Sequence, residues 1–236
     1  VDKNGIITVI AGKGVGGFSG DGGNALDAWL SNGGEVDVTE TGDVLFTDFL
    51  SHRVRKVYNN GTIVTIAGNG TGYFSGDGFL ATATAINQPQ SIAYINGELF
   101  ITDTGNNRIR KMLANGTMIT IAGNGTAGHC GDDGLVEACV NRPIGVTVNT
   151  NGEVFISDSQ NHIVRKVDVN GIISTYAGTF GVPGYSGNGN LATNAQLRSP
   201  RGLATNSEGE LFIADSSNQV IRKVDKMGTI STVVTE

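Results

Sequence analysis

Hydrophobic and polar positions alternate along this chain in short runs of about five residues, each closed by glycine, asparagine or aspartate. Four such runs follow one another in the stretch 144–176: residues 144–148, 153–157, 163–169 and 172–176. A period of two marks strands that are buried on one face, and the runs are too short for stable helices. The first two runs are joined by Asn149-Thr150-Asn151-Gly152 and the last two by Asn170-Gly171. Asn-Gly suits both central positions of a type I′ hairpin turn, which need positive φ. The four runs therefore predict one four-stranded antiparallel unit. About 20 residues separate it from the next unit, containing Gly-Asp-Gly or a relative and an alanine-rich stretch such as 80–86, sized for a turn or two of helix.

The unit repeats. Asn4-Gly5-Ile6-Ile7-Thr8-Val9-Ile10-Ala11-Gly12 returns from Asn60 to Gly68, from Asn115 to Gly123 and from Asn170 to Gly178, with a degraded copy from Met227 to Thr235. The starts at 4, 60, 115, 170 and 227 are spaced by 56, 55, 55 and 57 residues. A second string keeps the step: Val44-Leu45-Phe46-Thr47-Asp48, Leu99-Phe100-Ile101-Thr102-Asp103, Val154-Phe155-Ile156-Ser157-Asp158 and Leu211-Phe212-Ile213-Ala214-Asp215. A lone four-stranded sheet cannot bury its faces, so such units stack face to face around a hub, which is an all-β propeller. Phe46, Phe100, Phe155 and Phe212 are then expected to pack between neighbouring blades. The copies divide the single domain into a partial blade with insert over 1–33 and blades over 34–89, 90–143, 144–200 and 201–236.

The runs from Gly97 to Lys111, with Thr102-Asp103-Thr104-Gly105-Asn106-Asn107-Arg108, and from Glu153 to Lys166 resemble the NHL repeat. The insert Gly72-Tyr73-Phe74-Ser75-Gly76-Asp77-Gly78 and the later Pro89 resemble the long-repeat version of that family. The resemblance spans essentially the whole chain and implies a propeller, commonly of six blades. It does not fix function, because the family includes protein-binding, RNA-binding and enzymatic members. Four complete copies and a lone fourth-strand segment over 6–10 fit three arrangements. The favoured one is a piece of a longer protein. The others are a small closed ring with an irregular blade, and sheets completed by another copy through head-to-tail strand exchange.

Several residues recur with chemistry attached. Asp48, Asp103, Asp158 and Asp215 end the second strand, and seven residues on stand Arg55, Arg110, Arg165 and Arg222. A hairpin folding midway would set each Asp across from its Arg. The pairs could form a ring of charge at one mouth of the propeller, but one copy in every blade reads as a structural ion pair holding the hairpin. The inserts Gly20-Asp21-Gly22, Gly76-Asp77-Gly78, Gly131-Asp132-Asp133-Gly134 and Gly187-Asn188-Gly189 supply too few carboxylates for calcium and read as turns. His52 and His162 share a repeat position with Asn107 and Gln219, the interchange of a polar turn residue making local hydrogen bonds. No nucleophile–base set or metal cluster is legible, and no cofactor is expected. Cys130 and Cys139, both in one insert, are expected to form a disulfide, since Cys130 replaces the serine of Ser19, Ser75 and Ser186. Asn60, Asn69, Asn115 and Asn124 each begin an Asn-Gly-Thr glycosylation acceptor, although the same Asn-Gly also serves turn geometry.

Charge and composition narrow the partners. The chain has 16 basic and 22 acidic residues, a net −6, which argues against nucleic acid. Its 36 glycines in 236 residues are roughly twice ordinary usage, as many tight turns require. No apolar run approaches the ~20 residues of a membrane-spanning helix. The expected function is an extracellular structural or interaction module whose rigid surface contacts a protein partner or other copies of itself, with N-linked glycans. Tyr73 and Phe79 are the exposed aromatic candidates, and Trp29 is expected to be covered by its insert. The alternative is a lyase- or lactonase-like propeller enzyme with a metal in the central channel. A third class, RNA binding, conflicts with the acidic balance.

Overall fold

The computed structural model describes residues 4–132, 134 and 138–233. It contains sixteen strands: β1 (Gly33–Val38), β2 (Val44–Asp48), β3 (Arg53–Val57), β4 (Ile63–Ala67), β5 (Ile92–Ile95), β6 (Glu98–Asp103), β7 (Arg108–Met112), β8 (Met118–Ala122), β9 (Pro143–Val148), β10 (Val154–Asp158), β11 (Ile163–Val167), β12 (Ile173–Ala177), β13 (Leu203–Thr205), β14 (Leu211–Asp215), β15 (Val220–Val224) and β16 (Ile230–Thr232). They pair in chain order into four antiparallel four-stranded sheets. The first strands of the sheets pack in sequence, β1 on β5, β5 on β9 and β9 on β13, so the sheets stand as propeller blades around a hub.

The blades are joined by apolar cores. Leu45, Val54 and Ala67 of the first blade pack on Ile92, Leu99, Ile101 and Met118 of the second. Phe100 and Ile109 of the second meet Val146, Val154 and Ile156 of the third. Phe155 and Val164 of the third meet Leu203, Leu211 and Ile213 of the fourth. None of these clusters joins the fourth blade to the first among the described residues. Val36 and Val38 on the outer face of the first blade and Ile221 on that of the fourth are exposed.

Two details differ from the pattern-based expectation, and a third meets its lower bound. Phe46 does not share the environment of Phe100 and Phe155. It lies two residues before its strand-ending aspartate, where the others lie three before, and so points to the opposite face of the sheet. Leu45 occupies the inter-blade position, while Phe46 packs on Ala25, Ala28, Val57 and Ile63. Residues 6–10 join none of the four sheets, and Ile7 is 82% exposed. The alanine-rich stretch forms only a single 3-10 turn, Ala81–Ala83.

The turns also separate. At Asn60-Gly61, Asn115-Gly116 and Asn170-Gly171 only the glycine has positive φ, at 81°, 82° and 82°. The Gly61 N–H donates to the Tyr58 carbonyl, and the Tyr58 N–H to the Thr62 carbonyl. This is a type I turn closed by a left-handed glycine rather than a type I′ turn. The type I′ form occurs at Asn96-Gly97, where both residues are left-handed (φ 51° and 81°) and the hairpin is one residue shorter than its counterparts.

Each insert closes the edge of the blade that follows it. Gly78 donates to the Met118 carbonyl at 2.9 Å, and the Met118 N–H donates to the Phe79 carbonyl at 2.8 Å. Gly22 and Gly23 do the same around Ile63, and Gly189 and Asn190 around Ile230. In the third blade Ile173 donates to Gly134. The fourth strand, which would otherwise present free N–H and C=O groups, is covered by these contacts. Asp133 and the segments 1–3, 135–137 and 234–236, including the tail of the degraded copy, lie outside the described residues.

Candidate functional site

The recurrent arginines are the deepest charged groups in the molecule. Arg55, Arg110, Arg165 and Arg222 each have 0% exposure, as do Asp48, Asp103, Asp158 and Asp215. The strand register does not set them opposite each other: Asp48 faces Arg53, and Arg55 faces Phe46. The guanidinium instead runs back along the hairpin on a diagonal, with Nη1 3.5, 3.4, 3.9 and 3.6 Å from the four carboxylates in chain order. Its shorter contacts are to the insert. Nη2 lies 2.8 Å from Asp21, 2.8 Å from Asp77 and 2.7 Å from Asp132. In the fourth blade it donates to Asn188 Oδ1 at 2.9 Å. The Gly-Asp-Gly carboxylates are thus ligands of a buried arginine.

Aromatic rings complete the enclosure. Phe18 covers Arg53 and Arg55 at 3.6 and 4.8 Å, and Phe74 covers Arg108 and Arg110 at 3.7 and 4.9 Å. Tyr185 lies 5.1 Å from Arg222. The third insert has His129 at this place, stacked on Phe180 at 4.4 Å. A guanidinium over a ring face gains attraction without needing a hydrogen-bond acceptor.

The strand-ending aspartates also tie one blade to the chain entering it. Their Oδ1 atoms accept the backbone N–H of Ser31, Asn87, Asn141 and Arg198 at 2.6, 2.6, 2.7 and 2.7 Å. Asn106, Asn161 and Asn218 donate to the second oxygen. Burial pushes the Asp103 and Asp158 carboxyls upward, Asp158 to about 7, against the pull of these donors and of the arginines. With the folded value above the ordinary aspartate value near 3.9, Asp158 contributes most to stability in acid, and that contribution is lost as pH rises from about 4 through 7. The carboxyl carbon resonance of Asp158 should accordingly titrate near neutrality in the folded chain.

A second repeated pair was not singled out from the sequence. Lys56–Asp43, Lys111–Glu98, Lys166–Glu153 and Lys223–Glu210 are 2.8, 2.7, 2.8 and 2.8 Å apart, bridging the second and third strands of each blade. The signal was present: each acid stands five residues before the strand-ending aspartate, and each lysine directly follows the cage arginine. These pairs are partly exposed, so solvent screening leaves each of them little net stabilisation.

The hub carries two copy-specific acids, Glu35 and Asp37 on β1, where the other inner strands have Ser91 and Ala93, Gly145 and Thr147, or Gly202 and Ala204. Burial raises the Glu35 carboxyl, the Ser91 hydroxyl lowers it, and neighbouring Asp37 raises it further. Asp37 accepts the Tyr94 N–H at 2.7 Å. Among the described residues no three His, Cys, Asp or Glu side chains converge on a metal position.

Cys130 and Cys139 are disulfide-bonded, with Cα atoms 4.9 Å apart. The bond stands where the other inserts use a hydrogen bond: Ser19 Oγ accepts the Trp29 N–H at 3.2 Å and Ser75 Oγ the Ala85 N–H at 2.8 Å. Replacing Cys130 by Ser and Cys139 by Ala recreates the second insert and should lower the unfolding free energy by about 2 kcal/mol, the chain-entropy share of so short a loop. Urea denaturation of the variant beside the parent chain measures this.

Asn60, Asn69, Asn115 and Asn124 are exposed, and each side-chain Oδ1 accepts the N–H of the threonine two residues on. The Asn69 amide also donates to the Ala83 carbonyl, and the Asn124 amide lies 3.8 Å from Cys130 Sγ. Tyr73 and Phe79 are 53% and 57% exposed. Trp29 is 40% exposed with Lys13 5.7 Å above its ring, so its insert does not cover it. Leu80, Phe180 and Tyr185 add further exposed apolar surface on the inserts.

An all-β propeller with a strand-ending Asp and an Arg-Lys pair on the third strand in every blade defines an NHL-type scaffold. The chain belongs to the NHL-repeat β-propeller family: the NHL repeat model matches residues 87–112, and the teneurin NHL domain model matches 122–186 and 181–236. Among curated proteins it is 27% identical to mouse teneurin-1 over 235 residues, covering 88% of this chain and 8% of that protein. It is 32% identical to the chloroplastic protein Suppressor of Quenching 1 of Arabidopsis thaliana over 173 residues, 66% of this chain and 16% of the other. The chain therefore spans a small part of the relatives it matches. A streptogramin B lyase structure superposes with a TM-score of 0.58 at 16% identity, covering 86% of this chain and 54% of that one. At that identity the likeness is one of fold. No helix among the described residues is long and apolar enough to cross a membrane.

Proposed function

We propose that this chain is an extracellular interaction module that presents a rigid propeller surface to a protein partner, with the inserts as the contact surface. The supporting observation is a division of labour in the inserts. Asp21, Asp77 and Asp132 turn inward onto the buried arginines, while Tyr73, Phe79, Leu80, Phe180 and Tyr185 stand about half exposed or more. Aromatic side chains on a fixed frame lose little entropy on docking and are the usual energetic anchors of protein interfaces. The disulfide suits an oxidising compartment, and in that setting Asn60, Asn69, Asn115 and Asn124 would carry N-linked glycans. Self-association, head to tail through the exposed end faces, is the form this contact takes if the partner is another copy.

Purified protein on beads should adhere to cell surfaces or to beads bearing the same protein, and the Phe79→Ser/Leu80→Ser variant should lose at least half of that adhesion. Equal adhesion by the variant, with unchanged folding, would sink the assignment to the inserts. The second reading, a metal-dependent propeller enzyme, is favoured by Glu35, an acid of raised pKa beside Asp37 on the inner strand β1. Calorimetric titration with divalent cations, comparing the chain with Glu35→Gln, separates the two: binding that vanishes in the variant supports the enzyme.

A further inference from the structure

Each blade ends its second strand in a 3-10 turn whose last residue is left-handed: His52 (φ 55°), Asn107 (φ 50°), His162 (φ 62°) and Gln219 (φ 60°). Three of these side chains reach across to the chain entering the next blade. His52 Nδ1 accepts the Gln88 N–H at 3.1 Å, Asn107 Oδ1 the Arg142 N–H at 2.9 Å, and His162 Nδ1 the Ser199 N–H at 3.2 Å. The donors are unusual. Gln88, Arg142 and Ser199 are themselves left-handed, at φ 52°, 52° and 48°, and each precedes a proline. Neither condition is favourable for a residue with a side chain. One hydrogen bond thus fixes a disfavoured backbone at each blade junction.

We infer that His52 and His162 are acid-releasable latches between blades one and two and between blades three and four, while Asn107 gives the middle junction a latch that does not titrate. A ring nitrogen that accepts a backbone N–H must carry a lone pair, so both rings are neutral with the proton on Nε2. Protonation at Nδ1 replaces the acceptor with a donor aimed at another donor, and the latch opens. Asparagine has no such transition. The same position therefore performs the same bond with and without pH sensitivity in one chain.

The surroundings hold the rings neutral. Burial comes first in lowering both histidines below their ordinary range; Arg53 adds to it at His52 and Arg198 at His162, with Asp215 opposing. Such rings support the folded state above the ordinary histidine pKa, and that support is lost as pH falls through their lowered values. Asp103, Asp158 and Asp215 hold the N–H of Asn87, Asn141 and Arg198, one residue before each of the three latched donors, so a carboxylate contribution is common to all three junctions and is separated from that of the rings by comparison with Arg142.

Backbone amide exchange, normalised to unstructured rates, provides the test. Between about pH 7.5 and 5, protection at Gln88 and Ser199 should fall about fivefold further than at Arg142, the value of one ordinary hydrogen bond, because a change at Arg142 reports the aspartate contact alone. In His52→Asn/His162→Asn this further fall should vanish, because the variant copies the middle junction and leaves both aspartates in place. Imidazole nitrogen shifts of the unmodified chain give an independent reading that needs no variant to fold. Nδ1 should report an unprotonated acceptor at pH 7.5. Rings protonated at Nδ1 there, unchanged Gln88 and Ser199 protection in acid, or the same loss in the asparagine variant would each overturn the inference.

Discussion

Replacing Arg110 with alanine should lower the free energy of unfolding by about 3–5 kcal/mol, the range for breaking a buried ion pair from one side. Arg110 and Asp103 are both at 0% exposure, so removing the guanidinium leaves Asp103 dry and without its cation. The Gly76 carbonyl loses its donor at 2.8 Å, and Phe74 loses the second, more distant of its two cations, keeping Arg108. The insert carboxylate is a different matter. Asp77 is 41% exposed, and the fourth blade works with Asn188 in its place, so Asp77→Asn should cost no more than about 1 kcal/mol. Equilibrium denaturation of the two variants beside the parent chain measures both values. Equal costs would mean that the insert contact, not the buried pair, carries the cage.

Phe155→Ala is expected to be of similar size, about 3–5 kcal/mol, by a different mechanism. The ring is 2% exposed, meets Tyr176 edge to face at 4.8 Å, and packs against Leu203, Leu211 and Ile213 of the next blade. Truncation opens a cavity at a junction between units that otherwise touch only their neighbours. In such linear arrays, weakening one interface separates the stability of the units on either side. Calorimetry should therefore show the fourth blade melting ahead of the rest. Phe46→Ala, whose ring packs within its own blade and insert, should lower stability without splitting the transition.

These two phenylalanines also show how far the sequence reaches. Strand number, blade order and the NHL resemblance follow from the repeat alone, because alternation and turn residues are local. Phe46 misleads because aromatic identity catches the eye, whereas distance from the strand-ending aspartate decides which face a side chain takes. Asp48 and Arg55 were legible as companions, but their diagonal geometry depends on where the 3-10 turn places the register. The contact between Asp77 and Arg110 spans 33 residues and depends on how the insert folds over the blade, which no local pattern encodes. The histidine position was legible as a polar turn residue, but the blade it reaches was not.

The way each insert seals the blade after it has a practical consequence for dissecting the molecule. The segment that shields a rim is written in the sequence before that rim's own strands, so cutting ahead of β5 or β9 separates a sheet from its cover. A self-contained excised piece begins instead at the glycine that closes the preceding fourth strand, Gly68 or Gly123, and runs to the next. Pieces framed the other way would bare a strand margin to pairing with strangers, and should precipitate where the properly framed ones stay dispersed.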